Sequence, residues 1–187
     1  MAIAEFNHDQ VLPPHLGDPR TWNDLSPYPA TTGEVCKKFA TSEERVRILE
    51  GWLRFRAKLA EFEIKSGFQW LDGSFLEAVE VFEHRAPKDM DVITFYRVPD
   101  ISDFENKVLT NFPEFWNRDE SKKTFFIDHF PVSLRMEPEA LVDHTRYWTG
   151  LFSHRRDGLW KGMLRVELNT LSDDSTAELF LQVNKRK

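Results

Sequence analysis

Asp89 and Asp91 stand two residues apart at the head of the run Met90-Asp91-Val92-Ile93-Thr94-Phe95-Tyr96, which is rich in β-branched and aromatic residues. Such a run predicts a strand. Residues two apart on a strand share a face, so both carboxylates point the same way. Two acids at the start of an apolar strand repel each other and resist burial, and a cation would offset both effects. Mg²⁺ (or Mn²⁺) suits hard carboxylate oxygens completed by phosphate and water. Asp128 lies within Phe125-Phe126-Ile127-Asp128-His129-Phe130, another apolar stretch, where an isolated ionised carboxylate costs several kcal/mol. A neighbouring strand would place it beside the first two, and three acids around one or two metal ions suit in-line phosphoryl chemistry. The ordinary alternative for Asp128 is a strand-end residue facing water.

Gly73-Ser74 follows Phe68-Gln69-Trp70-Leu71, which reads as a short buried strand. Glycine allows the backbone to approach a phosphate closely, and a helix beginning there would aim N–H groups at the anion. Ser74 adds a hydroxyl donor. Alone the pair is a common turn.

Taken together, Trp70-Leu71-Asp72-Gly73-Ser74-Phe75 and Pro87-Lys88-Asp89-Met90-Asp91-Val92 resemble the signature of the DNA polymerase beta-like nucleotidyltransferase superfamily, with small bacterial members most similar. The likeness extends to the arm from Phe6-Asn7 to Leu12-Pro13-Pro14 and to the tract from Tyr147-Trp148 through Lys161-Gly162. It implies a nucleotidyltransferase-like fold that moves a nucleoside monophosphate from a nucleoside triphosphate to a protein or RNA acceptor, releasing pyrophosphate. Gly73 and Ser74 would hold the triphosphate. Asp89, Asp91 and Asp128 would be the catalytic, metal-binding acids, with Asp128 also helping to activate the acceptor hydroxyl.

Two departures motivate a second reading. Fourteen residues separate Ser74 from Asp89, more than the family pattern usually has, and Phe75-Leu76-Glu77 stands where small antitoxin-like members often carry an arginine. On that reading the chain is a catalytically degenerate binding or neutralising module of a toxin–antitoxin or defence system. A third reading, a polynucleotide grip by His154, Arg155, Arg156 and Lys161, competes with a solvated loop, which is favoured. Glu77, Glu80 and Glu83 read as a solvent-facing helical stripe.

The elements that must position these residues follow from periodicity and punctuation. Residues 1–40 hold five prolines and read as an irregular extended arm, leaving 41–187 as the nucleotidyltransferase-like domain. Thr41 and Glu44 suggest a capping box opening a helix from Glu43 to about Ile64, with Val46, Leu49, Leu53, Leu59 and Phe62 on its buried stripe. A helical turn or two is expected within 75–82, and a helix capped by Ser102 or Asp103 runs to about Asn111. Residues 113–120 read as irregular, 124–130 as a strand, and 138–152 as a helix with Pro138 in its first turn. A strand is expected at 161–168, and 176–183 stays ambiguous. Alternating helices and strands predict an α+β fold, a mixed β-sheet flanked by helices.

Composition narrows the function classes. With 187 residues and 41% apolar side chains, the chain can bury a sizeable core. A net charge of −6 disfavours a nucleic-acid partner. One cysteine, Cys36, excludes an internal disulfide and a cysteine-rich zinc site. No signal peptide is visible and no apolar run could span a membrane, so a cytoplasmic location is expected. The six histidines lack His-Glu-x-x-His spacing, and no Gly-x-Ser-x-Gly elbow surrounds Ser74.

Overall fold

The computed structural model describes residues 3–99 and 102–184. The chain opens with bends and a 3-10 turn at Trp22–Asp24, then strand β1 (Tyr28–Pro29) and helix α1 (Thr32–Phe39). Helix α2 (Glu43–Glu61) leads to β2 (Gly67–Asp72), a 3-10 turn (Ser74–Leu76) and the short α3 (Val79–Phe82). After β3 (Met90–Tyr96) come α4 (Phe104–Asn111), a 3-10 turn (Pro113–Phe115) and α5 (Arg118–Phe125). Strand β4 (Ile127–Ser133), α6 (Pro138–Phe152), β5 (Leu164–Glu167) and α7 (Leu171–Asn184) complete the described chain. The fold is α+β, with a mixed five-stranded sheet in the order β1-β5-β2-β3-β4 and helices packed around it.

β2 runs antiparallel to both β3 and β5, whereas β3 and β4 are parallel. One sheet face packs under α1, α2, α5 and α7 through a large core that includes Leu71, Val92, Tyr96 and Ile127. The opposite face carries Trp70, Ile93, Phe95 and Val132, covered by Trp148 and Phe152 of α6. The alternation that the sequence suggested for Asp89 to Tyr96 thus separates two apolar layers.

A buried polar chain fastens the first layer to the sheet. Trp52 Nε1 and Arg56 Nη1 both donate to Gln69 Oε1, at 2.9 and 3.0 Å, and Gln69 Nε2 donates to Thr94 Oγ1 at 3.1 Å. His129 Nδ1 lies 3.0 Å from the Phe115 carbonyl, which can only accept, so Nδ1 carries the proton and Nε2 accepts from Thr94 Oγ1 at 2.8 Å. Burial pushes the His129 imidazole down to about 3, so it stays neutral.

Four stretches differ from the sequence reading. Residues 1–40 are not an arm throughout: Thr31 and Glu34 form a capping box, and α1 buries Val35, Cys36 and Phe39 in the core. Proline density misled because all five prolines precede that box. The cap of α2 is Ser42, whose hydroxyl accepts from Arg45 N, rather than Thr41. Residues 118–125 form a helix, capped by Asn117 accepting from Asp119 N and Glu120 N, so the following strand begins at Ile127 and not at Thr124. Residues 171–184, ambiguous in sequence, are helical.

Candidate active site

Sheet register decides which acids meet. Asp72, the last residue of β2, is paired across the antiparallel ladder with Asp91. Asp91 is in turn paired across the parallel ladder with Asp128. Directly opposed residues share a face, so three carboxylates form a row across β2, β3 and β4 at one end of the sheet. Asp89 precedes β3 by one residue and continues the Asp91 side of that strand. Like charges opposed across strands are destabilising unless something offsets them.

The outer members of the row are offset by the chain's own cations. Asp128 is buried, and Arg118 grips it with two parallel hydrogen bonds, Nε to Oδ1 and Nη2 to Oδ2, both 2.7 Å. Lys122 Nζ stands 2.8 Å from Asp128 Oδ2 and 3.6 Å from Asp89 Oδ2. Burial works against the Asp128 charge, but the hydrogen bonds and charges of Arg118 and Lys122 outweigh it and hold the carboxyl below its ordinary range. At the other end, buried Lys161 lies 3.0 Å from Asp72 Oδ1 and 2.9 Å from Glu77 Oε1. Burial pushes Asp72 up to about 7 even so, with Lys161 opposing the shift.

Asp91, in the middle, has no such partner. Among the described residues its carboxylate makes no hydrogen bond and no ion pair. Burial pushes it up to about 6, with the charges of Asp128 and Asp89 adding to the rise. The Gly73 turn closes against it. Gly73 has φ of 84°, and a β-carbon there would collide with Asp91 Oδ2, so both backbone conformation and space call for glycine. Ser74 opens the 3-10 turn just beyond and is partly exposed.

These donors fit a divalent ion only in part. Asp91, an unpartnered carboxylate beside Asp89, has the hard-oxygen chemistry that Mg²⁺ takes when phosphate and water complete its shell. Asp128 as held here does not fit, because both its oxygens already accept from Arg118 and Lys122. Among the described residues no three Asp, Glu, His or Cys side chains converge as metal ligands. The expected three-acid metal set is therefore a row of acids rather than a preformed cage.

Several partners of this row escaped the sequence reading. Lys161 is neither a solvated loop residue nor a free phosphate grip, since it is buried between Asp72 and Glu77. The rest of that basic group is dispersed: Arg155 pairs with Asp157 at 2.6 Å, and His154 packs on Trp160. Of the stripe expected to face solvent, Glu83 is exposed, but Glu77 is buried and Glu80 pairs with buried Arg45 at 2.6 Å. Arg118 went unnoticed because 113–120 read as irregular, and Lys122 because it fell between that stretch and the strand expected at 124–130. The available signal was Asn117 as a cap, with two basic residues four apart on the helix it opens.

The profile of a family of unknown function, DUF6932, matches residues 4–167, so the chain belongs to that family. No curated protein and no solved structure matches it.

Proposed function

We propose that this member of DUF6932 is a nucleotidyltransferase, moving a nucleoside monophosphate from a nucleoside triphosphate to a hydroxyl of a protein or RNA acceptor. The observation that carries this reading is the unpartnered Asp91 carboxylate, placed between Asp72 and Asp128 in sheet register and closed upon by the Gly73 turn. Its support is the agreement between this arrangement and the Gly-Ser plus Asp-x-Asp resemblance of the sequence.

On this reading the triphosphate lies over Gly73 and Ser74, where only a glycine leaves room beside the acids. Asp89 and Asp91 would hold a divalent ion, and the chemistry it would supply there is neutralisation of phosphate charge. The acceptor oxygen bonds to the α-phosphorus as pyrophosphate departs. Asp128 accepts the proton of the attacking hydroxyl. Lys161 is a positioning residue: by tying Asp72 to Glu77 it holds both ends of the segment that contains Gly73 and Ser74. Catalysis would rest on positioning and charge, as phosphoryl transfer requires little covalent participation from the protein.

Transfer from each α-labelled triphosphate to candidate acceptors tests the reading, comparing wild type with Asp89→Ala/Asp91→Ala. Label well above the double variant is expected. Equal labelling in the two proteins would exclude these acids as its source, and no labelling by wild type with any triphosphate would favour the second reading.

That second reading, a catalytically degenerate nucleotidyltransferase-fold module of a toxin–antitoxin or defence system, draws on one observation. Arg118 and Lys122 fill the place beside Asp128 that a second cation would otherwise occupy. Intact partner binding in the double variant, without metal-dependent nucleotide binding by wild type, would identify it.

A further inference from the structure

Arg118 and Lys122 face two ways. Each binds Asp128, yet their side chains remain 54% and 39% exposed, whereas Asp128 is 8% exposed. Outward from the ion pairs, the same two cations line an open groove of about 600 Å³, bounded by Leu109, Pro113, Trp116 and Asp119. That volume is within the range of small-ligand sites. One wall is apolar, with Trp116 packed edge-on against Phe115 at 4.8 Å. The lining also offers a guanidinium and an ammonium one helical turn apart, the spacing that puts both on one face of α5.

We propose that Arg118 and Lys122 form a polyphosphate-operated latch on Asp128. Without ligand they neutralise the buried carboxylate; phosphate oxygens entering the groove compete for the same donors and release it. Guanidinium binds carboxylate and phosphate with the same two-pronged geometry, so exchange between them conserves hydrogen bonds. The exchange is local, because both cations are rooted on one helix and both anions lie within reach of their tips. Asp119 on the groove rim opposes anions generally but holds neither cation in an ion pair. The consequence for catalysis rests on the reading above: Asp128 would become available to an acceptor hydroxyl only once phosphate groups reach beyond the Gly73-Ser74 turn into this groove, whose lining includes neither of those residues.

The latch predicts that Asp128 competes with the ligand, which binding alone can detect. Tripolyphosphate, in the absence of divalent ions, is titrated calorimetrically into wild type and into Asp128→Asn, Asp119→Asn and Arg118→Gln. Asp128→Asn should bind about tenfold more tightly than wild type, since the competing charged hydrogen bonds are gone, and Arg118→Gln more weakly by a similar factor. Asp119→Asn removes the same charge without freeing a cation and should change affinity by less than about threefold. Equal tightening by Asp119→Asn and Asp128→Asn, or none by Asp128→Asn, overturns the proposal. A second measurement follows Asp128 itself. In protein labelled with ¹³C at aspartate carboxyls, tripolyphosphate should move the Asp128 resonance in the direction that Arg118→Gln moves it. A resonance that stays in place under saturating tripolyphosphate overturns the latch. These outcomes are separable from nucleotidyl transfer, because a chain can show the exchange and transfer nothing, or transfer nucleotide with Asp128 unmoved.

Discussion

At the scale of single residues, the site is defined by which carboxylates are neutralised and which is not. Asp91 is held up at about 6 against an ordinary value of 3.8, so the folded chain binds its proton more tightly than the unfolded chain does. Stability linked to this group is therefore fully present at low pH and is lost as pH rises from 3.8 through about 6. Asp72, held up to about 7, pushes in the same direction. Asp91→Asn should flatten the part of the decline that lies below about pH 6 and stabilise the protein at pH 7 by about 1–2 kcal/mol. Urea unfolding at pH 4.5 and pH 7 measures both effects, and an unchanged slope would show that Asp91 carries no such burden. Gaining stability while losing the carboxylate is the behaviour expected of a site kept for function rather than for folding. The shared side of Asp89 and Asp91 and the turn at Gly73 were legible in the sequence because their signals are local: alternation along one strand and a glycine at a strand's end. Lys161 was not, because its partner Glu77 lies 84 residues away and nothing local marks the pair.

At the scale of elements, α5 matters most for the site, and its seat on α2 is set by one glycine. A β-carbon on Gly51 would run into the Phe125 carbonyl at the end of α5 and touch the Phe126 ring. Gly51→Ala should force α5 outward and cost about 1–3 kcal/mol, as overpacking usually does. Gly150 in α6 has open space around it, so Gly150→Ala should instead stabilise by about 0.5–1 kcal/mol. Chemical denaturation of the two variants gives the comparison, and similar effects in both would show that α5 does not depend on close approach to α2. Nothing local in the sequence marks Gly51 as more than a poor helix former. Its reason is tertiary, and so were the errors around α5. Phe125, Phe126, Ile127 and Phe130 read as one apolar strand, but Phe125 ends the helix in the core and Phe126 has φ of 56° at its cap. Apolar residues on both sides of a helix–strand junction look continuous when only hydrophobicity is read.

For the whole molecule, three strands bring acids from distant segments to one end of a sheet, and the chain supplies cations to the outer two. The mixed sheet with helices was legible from alternating elements, but the extent of the irregular N-terminal stretch was not, because α1 is a short helix recognised mainly by its cap. Among the described residues no helix is long and apolar enough to cross a membrane. On the proposed function, the unpartnered Asp91 would be completed by a metal ion and a polyphosphate together. Electron paramagnetic resonance of Mn²⁺ tests this most directly, in wild type and Asp91→Asn, with and without a non-hydrolysable nucleoside triphosphate. Mn²⁺ should bind wild type when the triphosphate is present, and Asp91→Asn should abolish this binding. Equal Mn²⁺ binding by both proteins, or none by wild type with any triphosphate, would contradict it.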